Sequence, residues 1–507
     1  MGCPGVVEGG PARLGHGHER SSIGALLLMA QPLVLNIVSI PATAYIVRTL
    51  GPGGYGEWAI GASLVAVTAV MANLGLRTLF IRSIAQNPQQ APAALAEQLG
   101  LRALLGAGAG LAALAICWAL RYPPLVLACT AIQSLGLVFT SVTGAAGDLL
   151  QAFQRFRAYA AASLVSGFVL TAASVLAMWL NTGPVGLAVS YLSGSLVSAL
   201  LLLLYIRRSL FRPYVRWDVA RFVHLLRETR ILAAQQLLVA VQSRAEQMLV
   251  PKLLGIEAFG YFSAGSMPAN RLDMVPDGMV CAFYPAISRT SSEDHEKAAD
   301  QVTRLMVMSL TLTLPIAILV TFLAPSISRI LFPRNAQVCE QVLVITIWSL
   351  PLLGISYPLA CALQATGRYV AVARLAMWAT ALSALLTVTL VLTQGLLGAS
   401  LAALIRPAML VLFLSPLFVR SFPSVPRRVP LGRIGLCGAA MAGLLWMSSG
   451  LEATTLVKVL LGSVLGCIGY GLALLATGVV STGDISSALR LRVVAPSPHY
   501  SPDAGEL

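Results

Sequence analysis

Charge is scarce in this chain of 507 residues, because Asp, Glu, Lys and Arg together make up only 11% of it. A soluble domain carries about 25% charged residues. Hydrophobic residues make up 57% of the chain, and the mean hydropathy is +0.80. So few polar side chains do not suffice to cover a folded surface in water, and the composition therefore excludes a soluble protein.

The motifs of several enzyme classes are also missing. No Gly-Lys-Ser/Thr follows a Gly-rich loop, which argues against ATP hydrolysis. The five histidines are scattered over polar segments, and the eight cysteines contain no Cys-x-x-Cys pair, so we expect neither a metal centre nor a disulfide framework. No segment is large enough for a soluble catalytic domain. We expect a protein that is not an enzyme and that uses no cofactor beyond a coupling ion, Na⁺ or H⁺.

The apolar residues come in blocks long enough to cross a bilayer, which takes about 20 residues of helix. This pattern predicts an all-α integral membrane protein with about fourteen transmembrane helices. The predicted spans are 22–47, 57–76, 100–120, 124–146, 159–180, 184–206, 231–251, 259–286, 305–324, 340–363, 371–393, 396–419, 433–450 and 455–479.

The chain has a net charge of +14, and the positions of its basic residues also fit a membrane protein. Most Lys and Arg fall in links on one side of the predicted membrane, and residues 207–230 alone hold seven arginines. Basic links stay in the cytoplasm, so we expect cytoplasmic N- and C-termini in a multi-pass membrane protein. No nucleic-acid recognition motif accompanies the basic residues, and we expect no nucleic-acid partner.

Two sequence motifs occur twice. Leu50–Gly56 (LGPGGYG) recurs 204 positions later as Leu254–Gly260 (LGIEAFG). Leu150–Arg155 (LQAFQR) recurs as Leu363–Arg368 (LQATGR). The chain therefore holds two copies of one unit, and duplication of a membrane unit indicates a transporter with two lobes around a central pathway.

The repeats set the expected domains. Two six-helix lobes are followed by two extra helices, and polar segments that we expect to be disordered flank them. The boundaries are 1–21 for the N-terminal segment, 22–206 for the first lobe, 207–230 for a basic linker, 231–419 for the second lobe, 420–432 for a second linker, 433–479 for the extra helices and 480–507 for the tail.

Three short segments resemble one known family. Arg48–Trp58 (RTLGPGGYGEW) is similar to the signature of Wzx-type polysaccharide flippases, as are Leu150–Phe156 (LQAFQRF) and Ser243–Gln247 (SRAEQ). The family often has Asp where this chain has Glu246. The resemblance covers about residues 20–480 and extends to the MOP superfamily, which includes multidrug and toxic compound extruders (MATE) and the lipid II flippase.

The resemblance implies a V-shaped pair of pseudo-symmetric lobes that work by alternating access. It implies an undecaprenyl-pyrophosphate-linked oligosaccharide as substrate, moved from the cytoplasmic to the periplasmic leaflet for synthesis of O-antigen, capsule or exopolysaccharide. The implied partners are membrane lipids, a polysaccharide polymerase and proteins of chain-length control and export.

A pyrophosphate crosses hydrocarbon only inside a polar, cationic cavity. The arginines predicted well inside spans, away from the span ends, are therefore candidate phosphate ligands: Arg244, Arg271 and Arg406. All three lie in the second repeat, so we expect the charge mainly on the second lobe's wall. Alternatively, Arg271 pairs with Glu246 and only fixes helix packing, and Arg406 extends toward the membrane surface.

Other polar residues in the spans have two interpretations each. Gln31, Asn36 and Asn73 suit sugar hydroxyls but equally suit hydrogen bonds between helices. Glu246 is a candidate for cation coupling. Asp273 and Asp277 share a helix face and suit Na⁺ or a proton, although Pro276–Gly278 also reads as a helix break. The Gly-rich Leu50–Gly56 segment reads as a tight external turn.

Three other functions are weighed against the flippase. A MATE-type drug antiporter would favour an acidic, aromatic cavity, which the arginines oppose. A non-transporting scaffold of a glycan synthesis complex would have little reason to keep charges inside its spans. A membrane glycosyltransferase would place acidic motifs on sizeable loops, and the longest links here are basic.

Overall fold

The computed structural model describes residues 18–73, 76–218, 222–225, 227, 247–333, 335–449 and 455–479. Over these ranges every regular element is a helix. The helices, numbered along the chain, are α1 His18–Thr68, α2 Leu76–Gln86, α3 Ala91–Ala119, α4 Pro124–Ala152, α5 Phe156–Trp179, α6 Gly183–Ser209, α7 Ile256–Leu272, α8 Met274–Glu293, α9 His295–Leu331, α10 Ala336–Thr346, α11 Ser349–Ala365, α12 Tyr369–Ser421, α13 Val425–Arg428, α14 Leu431–Ser449 and α15 Thr455–Ala476.

Eight helical segments of the described chain are long and apolar enough to cross a membrane. Thirteen of the fourteen predicted spans fall on described helices. Most of the predicted span 231–251 lies outside the described residues, of which 247–253 are helical. Residues 1–17 and the tail 480–507 also lie outside, as do residues 219–221, 226 and 228–230 of the basic linker, whereas residues 18–21, predicted to be disordered, are helical. The domain boundaries stay predictions.

Two of these helices each hold two predicted spans. A straight helix of 53 residues, the length of α12, would measure about 80 Å, against a hydrocarbon core of about 30 Å. One glycine interrupts each helix, Gly51 in α1 (φ 68°, ψ 178°) and Gly395 in α12 (φ 60°, ψ −128°). The chain doubles back at Gly395. The evidence is that the backbone of Gly398 lies against the carbonyl group of Leu390. The predicted turn at Leu50–Gly56 is thus confined to one non-helical residue.

The break in the predicted span 259–286 lies earlier than expected. Pro276–Gly278 are helical, and the boundary between α7 and α8 is Asp273 instead. The physical reason is Pro276, which has no N–H to donate and whose ring crowds the carbonyl group of Leu272, four residues before it. A proline disturbs the turn before it rather than its own position.

Each lobe has a hydrophobic core of its own, and two further cores join the lobes. Leu149 and Ile206 belong to the core of the first lobe, α1–α6, and Leu305 to that of the second, α7–α12. A shared core packs Ile60 of α1 with Phe259 of α7, and another joins further residues of the same two helices. The helices α14 and α15 pack on α9 outside this pair.

Candidate functional site

A cavity of about 480 Å³ lies between the two lobes. Its first wall comes from both halves of α1 and from α5 and α6, and the second wall comes from α7 and Gln247. Small and hydroxyl side chains make up much of the first wall. Three aromatic residues, Tyr55, Trp58 and Tyr191, also line it, and Asn270 and Arg271 lie on the second wall.

Arg271 reaches across the cavity from the second lobe to the first. Its Nη1 donates to Asn36 Oδ1 at 3.1 Å and to the Ser39 hydroxyl, and its Nη2 lies 3.4 Å from the Thr43 hydroxyl. The side chain is partly buried. Within the described residues no carboxylate lies within salt-bridge distance of it, so its neutral partners orient the guanidinium without cancelling its charge.

The partners of Arg271 lie on one face of α1 because of their spacing in the sequence: they are Asn36, Ser39 and Thr43. Residues three and four apart share one face of a helix, so the three side chains line up on the first half of α1. The sequence analysis singled out Asn36 but missed Ser39 and Thr43 as site residues. The i, i+3, i+7 spacing of polar side chains in an otherwise apolar span is the signal that finds them.

The predicted amides differ in their surroundings. Gln31 donates from Nε2 to the Ser163 hydroxyl of α5 at 2.7 Å, which is a hydrogen bond between helices. Asn36 contacts Arg271 and also donates to Met274 Sδ at 3.0 Å. Asn73 is exposed at the end of the second span and does not line the cavity. Of the three, Asn36 is the one that the structure brings to Arg271.

The other charges that were predicted as site residues and that the structure describes lie within the second lobe, away from Arg271. The Tyr357 hydroxyl donates to Asp273 Oδ2 at 3.2 Å, and Arg406 interacts electrostatically with the same carboxylate. Asp273 Oδ1 is buried and has no hydrogen-bond partner in the described part of the chain. Asp277 is exposed one turn further on. Arg244 and Glu246 lie outside the described residues, so the predicted pairing of Glu246 with Arg271 stays a prediction.

The two copies of the Gly-rich motif close one end of the space between the lobes by contacting each other. A Cβ atom on Gly56 would collide with the carbonyl oxygen of Ile256, and one on Gly260 would collide with that of Pro52. These are equivalent positions of the repeat, 204 residues apart, so the contact is the same from either side, as at a two-fold axis. Gly56 was expected to be part of a tight turn. Its lack of a side chain instead allows the contact between the two lobes.

A family model described as polysaccharide biosynthesis protein matches residues 45–341, more than half of the chain. The chain belongs to this polysaccharide biosynthesis family. The match spans both copies of the Gly-rich motif, the part of the α1 cavity wall from Ile46 onward and the whole of α7. No curated protein sequence matches the chain.

Solved structures show the same fold at low sequence identity. The lipid II flippase MurJ in an inward closed conformation matches with a TM-score of 0.65 and 14% identity, over 90% of this chain and 98% of that one. An inward-facing MATE family multidrug resistance transporter of the MOP superfamily matches with a TM-score of 0.56 and 15% identity, over 80% and 98%. A MOP superfamily transporter from Pyrococcus furiosus, described as having a binding pocket of reverse polarity, matches with a TM-score of 0.50 and 14% identity, over 81% and 95%.

The family and the fold agree on the coarse identity of this polysaccharide biosynthesis family member. It is a multi-pass, all-helical membrane protein with the fold seen in the lipid II flippase MurJ and in a MATE family transporter of the MOP superfamily. The predicted fold class and family are thereby confirmed.

Proposed function

We propose that the protein flips an undecaprenyl-pyrophosphate-linked oligosaccharide from the cytoplasmic to the periplasmic leaflet of a bacterial inner membrane. The product would serve synthesis of O-antigen, capsule or exopolysaccharide. The observation that carries the proposal is the Arg271 guanidinium, which lies on the cavity between the lobes with only neutral partners among the described residues.

The pyrophosphate explains why a cation belongs there. Phosphate oxygens lose their hydration when they enter the membrane, and a guanidinium replaces it with charge-assisted, paired hydrogen bonds. Asn36, Ser39 and Thr43 hold Arg271 in place, and among the described residues an arriving phosphate competes with these neutral groups alone for its N–H donors. Arg244 and Arg406 remain further candidate phosphate ligands, and Gln31 and Asn73 remain candidates for the sugar.

The tight contact of Gly56 and Gly260 supports alternating access. Because the lobes touch at this end, a substrate would enter the cavity from elsewhere, and the contact has to separate before release at the motif end. With the termini in the cytoplasm, the motif end is periplasmic and the described conformation accepts substrate from the cytoplasmic side.

Cation coupling is a separate part of the proposal. Asp273 has one carboxylate oxygen without a hydrogen-bond partner in the described chain, and the hydroxyl of Tyr357 orients the other. This group, with Asp277 and Glu246 as further candidates, would bind Na⁺ or a proton during the cycle.

The test is complementation of a host strain that lacks the gene. Wild-type protein, Arg271→Gln and Arg271→Lys are expressed, and surface glycan and the lipid-linked precursor are quantified. Because Arg271→Gln removes the charge that faces the phosphate, we expect loss of surface glycan and roughly tenfold or greater accumulation of the precursor. Arg271→Lys keeps a point charge but not the paired geometry, so we expect partial rescue.

Arg428→Gln is the matched control, because Arg428 is an arginine in exposed ion pairs with Glu296 and Asp300, both at 2.6 Å. It should rescue fully at equal membrane levels. Full rescue by Arg271→Gln would contradict the proposal and favour the scaffold.

One observation favours the drug antiporter as a second candidate. Tyr55, Trp58 and Tyr191 line the cavity, and aromatic faces attract organic cations. Arg271 on the opposite wall repels such a cargo. Normal surface glycan in the deletion strain, together with new sensitivity to cationic drugs, would therefore support the antiporter and exclude the flippase.

A further inference from the structure

A second polar cavity, of about 520 Å³, lies within the second lobe where α8, α11 and α12 end and α9 begins. It is lined by Ser288, Ser291, His295, Thr366, Arg368 and Arg420, among others. Ligand pockets in proteins commonly measure about 300–1,000 Å³. We call it the basic pocket, and it does not belong to the interlobe cavity, with which it shares no lining residue.

The two arginines of the basic pocket keep their charge. Arg368 and Arg420 are exposed, and over the described ranges no carboxylate oxygen lies within 4 Å of either guanidinium. Arg428, a few residues past Arg420, is by contrast bound to both Glu296 and Asp300. The chain therefore neutralises one arginine in this region and leaves the two in the basic pocket available for an anion.

The walls of the basic pocket are built in advance. His295 donates from Nε2 to the Ser421 carbonyl oxygen at 2.8 Å, and its ring stacks on Phe422 with centroids 4.9 Å apart and planes 5° from parallel. The Ser291 hydroxyl donates to the Ala365 carbonyl oxygen at 3.0 Å. These contacts join α9 to the end of α12 and α8 to the end of α11, so a ligand would not have to order the site.

The basic pocket is lined by part of the second copy of the LQAxxR motif, Ala365, Thr366 and Arg368, and the first copy is used differently. In the first lobe Gln151 accepts a hydrogen bond from Arg77 at 2.9 Å, and Arg155 donates to the Tyr205 hydroxyl at 3.2 Å. In the second lobe Gln364 and Arg368 are exposed. Arg155 and Arg368 are both exposed, but Gln151 and Arg155 have side-chain partners in the first lobe, whereas the described residues provide none for Gln364 and Arg368.

We propose that the basic pocket binds the phosphodiester of an anionic phospholipid. Guanidinium groups match phosphate oxygens in charge and geometry, and basic pockets between transmembrane helices bind lipid headgroups. Inorganic phosphate has the same charge chemistry, but the surroundings favour a lipid. Tyr369 and Val370, beside Arg368, are 63% and 57% exposed, and a Tyr at this level is typical of the membrane interface, where acyl chains have an apolar path.

The experiment measures lipid retained by the purified full-length protein by native mass spectrometry. Wild type and the double variant Arg368→Gln with Arg420→Gln are incubated with phosphatidylglycerol or with phosphatidylcholine. Loss of two charge-assisted contacts should weaken phosphatidylglycerol retention by roughly tenfold or more and leave phosphatidylcholine retention unchanged. Thermal unfolding in phosphatidylcholine should match wild type, and each single variant is measured in case the double variant does not fold.

The matched control is Arg155→Gln with Arg208→Gln, which removes the same charge from the corresponding helix ends of the first lobe. The control variant should retain phosphatidylglycerol like wild type. If it lost as much phosphatidylglycerol as the Arg368/Arg420 variant, the lipid would be bound by the general surface charge and the proposal would be overturned. Unchanged retention by the Arg368/Arg420 variant would also overturn it. Binding of inorganic phosphate by wild type without retention of phosphatidylglycerol would exclude the lipid as the ligand.

Discussion

Two arginines within the helices show how partners decide what a charge does. Arg271 contacts amide and hydroxyl groups across the cavity. Arg102 of α3 is fully buried in the first lobe and donates from Nη2 to Asp148 Oδ2 at 2.6 Å. A buried arginine with a carboxylate partner is a packing element, whereas one with neutral partners at a cavity keeps a positive charge for a ligand.

The buried pair gives a prediction about stability. Asp148→Ala leaves Arg102 buried without its partner, so we expect a loss of about 3–5 kcal/mol in the free energy of unfolding, measured by denaturant titration in detergent. Replacing both residues, Arg102→Met with Asp148→Leu, removes both charges and should recover most of that loss. A small effect of Asp148→Ala would mean that Gln98, whose Oε1 accepts from Arg102 Nε at 3.3 Å, or water is enough to stabilise the buried guanidinium.

No sequence pattern marked this pair, because the charges predicted well inside spans all fall in the second repeat. Arg102 and Asp148 lie near the ends of predicted spans, where basic and acidic residues usually face water. Their burial depends on how α3 and α4 pack, and span assignment carries no such information. Arg271, near the middle of a predicted span, was recognisable because charge there is costly.

At the scale of elements, single glycines divide the longest helices. Gly51 has φ 68° and ψ 178°, and its equivalent Gly255 has φ 90° and ψ 172°. Side chains with a Cβ atom avoid this region. The sequence predicted a turn from four glycines, but the structure requires a positive φ at Gly51 alone among them.

This difference between neighbouring glycines is testable. Gly51→Ala forces an alanine into a backbone region that disfavours it, so we expect about 1–3 kcal/mol of destabilisation. Gly53→Ala, two residues away, meets no atom within 4 Å and lies within a helix, so we expect it to be neutral or slightly stabilising. Thermal unfolding in detergent measures both, and equal effects of the two substitutions would contradict the assignment.

At the scale of the whole molecule, the two copies of the Gly-rich motif together form one contact between the lobes. Gly56 and Gly260 are the positions at which the two lobes approach backbone to backbone. A duplicated gene supplies both surfaces of such a contact at once, because the same residue serves each lobe. This explains physically why the most visible repeat in the sequence lies at the junction of the lobes.

Enlarging one of these glycines should open the junction. Gly260→Val places side-chain atoms against the Pro52 carbonyl group, and a backbone group cannot move aside as a side chain would. We expect a longer or broader distance between spin labels at Asn181 and Leu392, measured by double electron–electron resonance in a background without native cysteines. Gly53→Val has open space and should leave the distance unchanged; an unchanged distance in Gly260→Val as well would mean that the two lobes do not depend on this contact.

The sequence by itself determined the membrane class, the span pattern, the duplication and the family, because these follow from composition, periodicity and repeated motifs along one dimension. It also marked Arg271 as a candidate site residue, because a charge near the middle of a predicted span costs free energy. Only the tertiary structure decided that Arg271 contacts Asn36, Ser39 and Thr43, that Asp273 belongs to a different cluster, and that the motif copies meet. Each of these depends on which helix faces pack together across 84 to more than 200 residues, and local sequence does not specify that pairing.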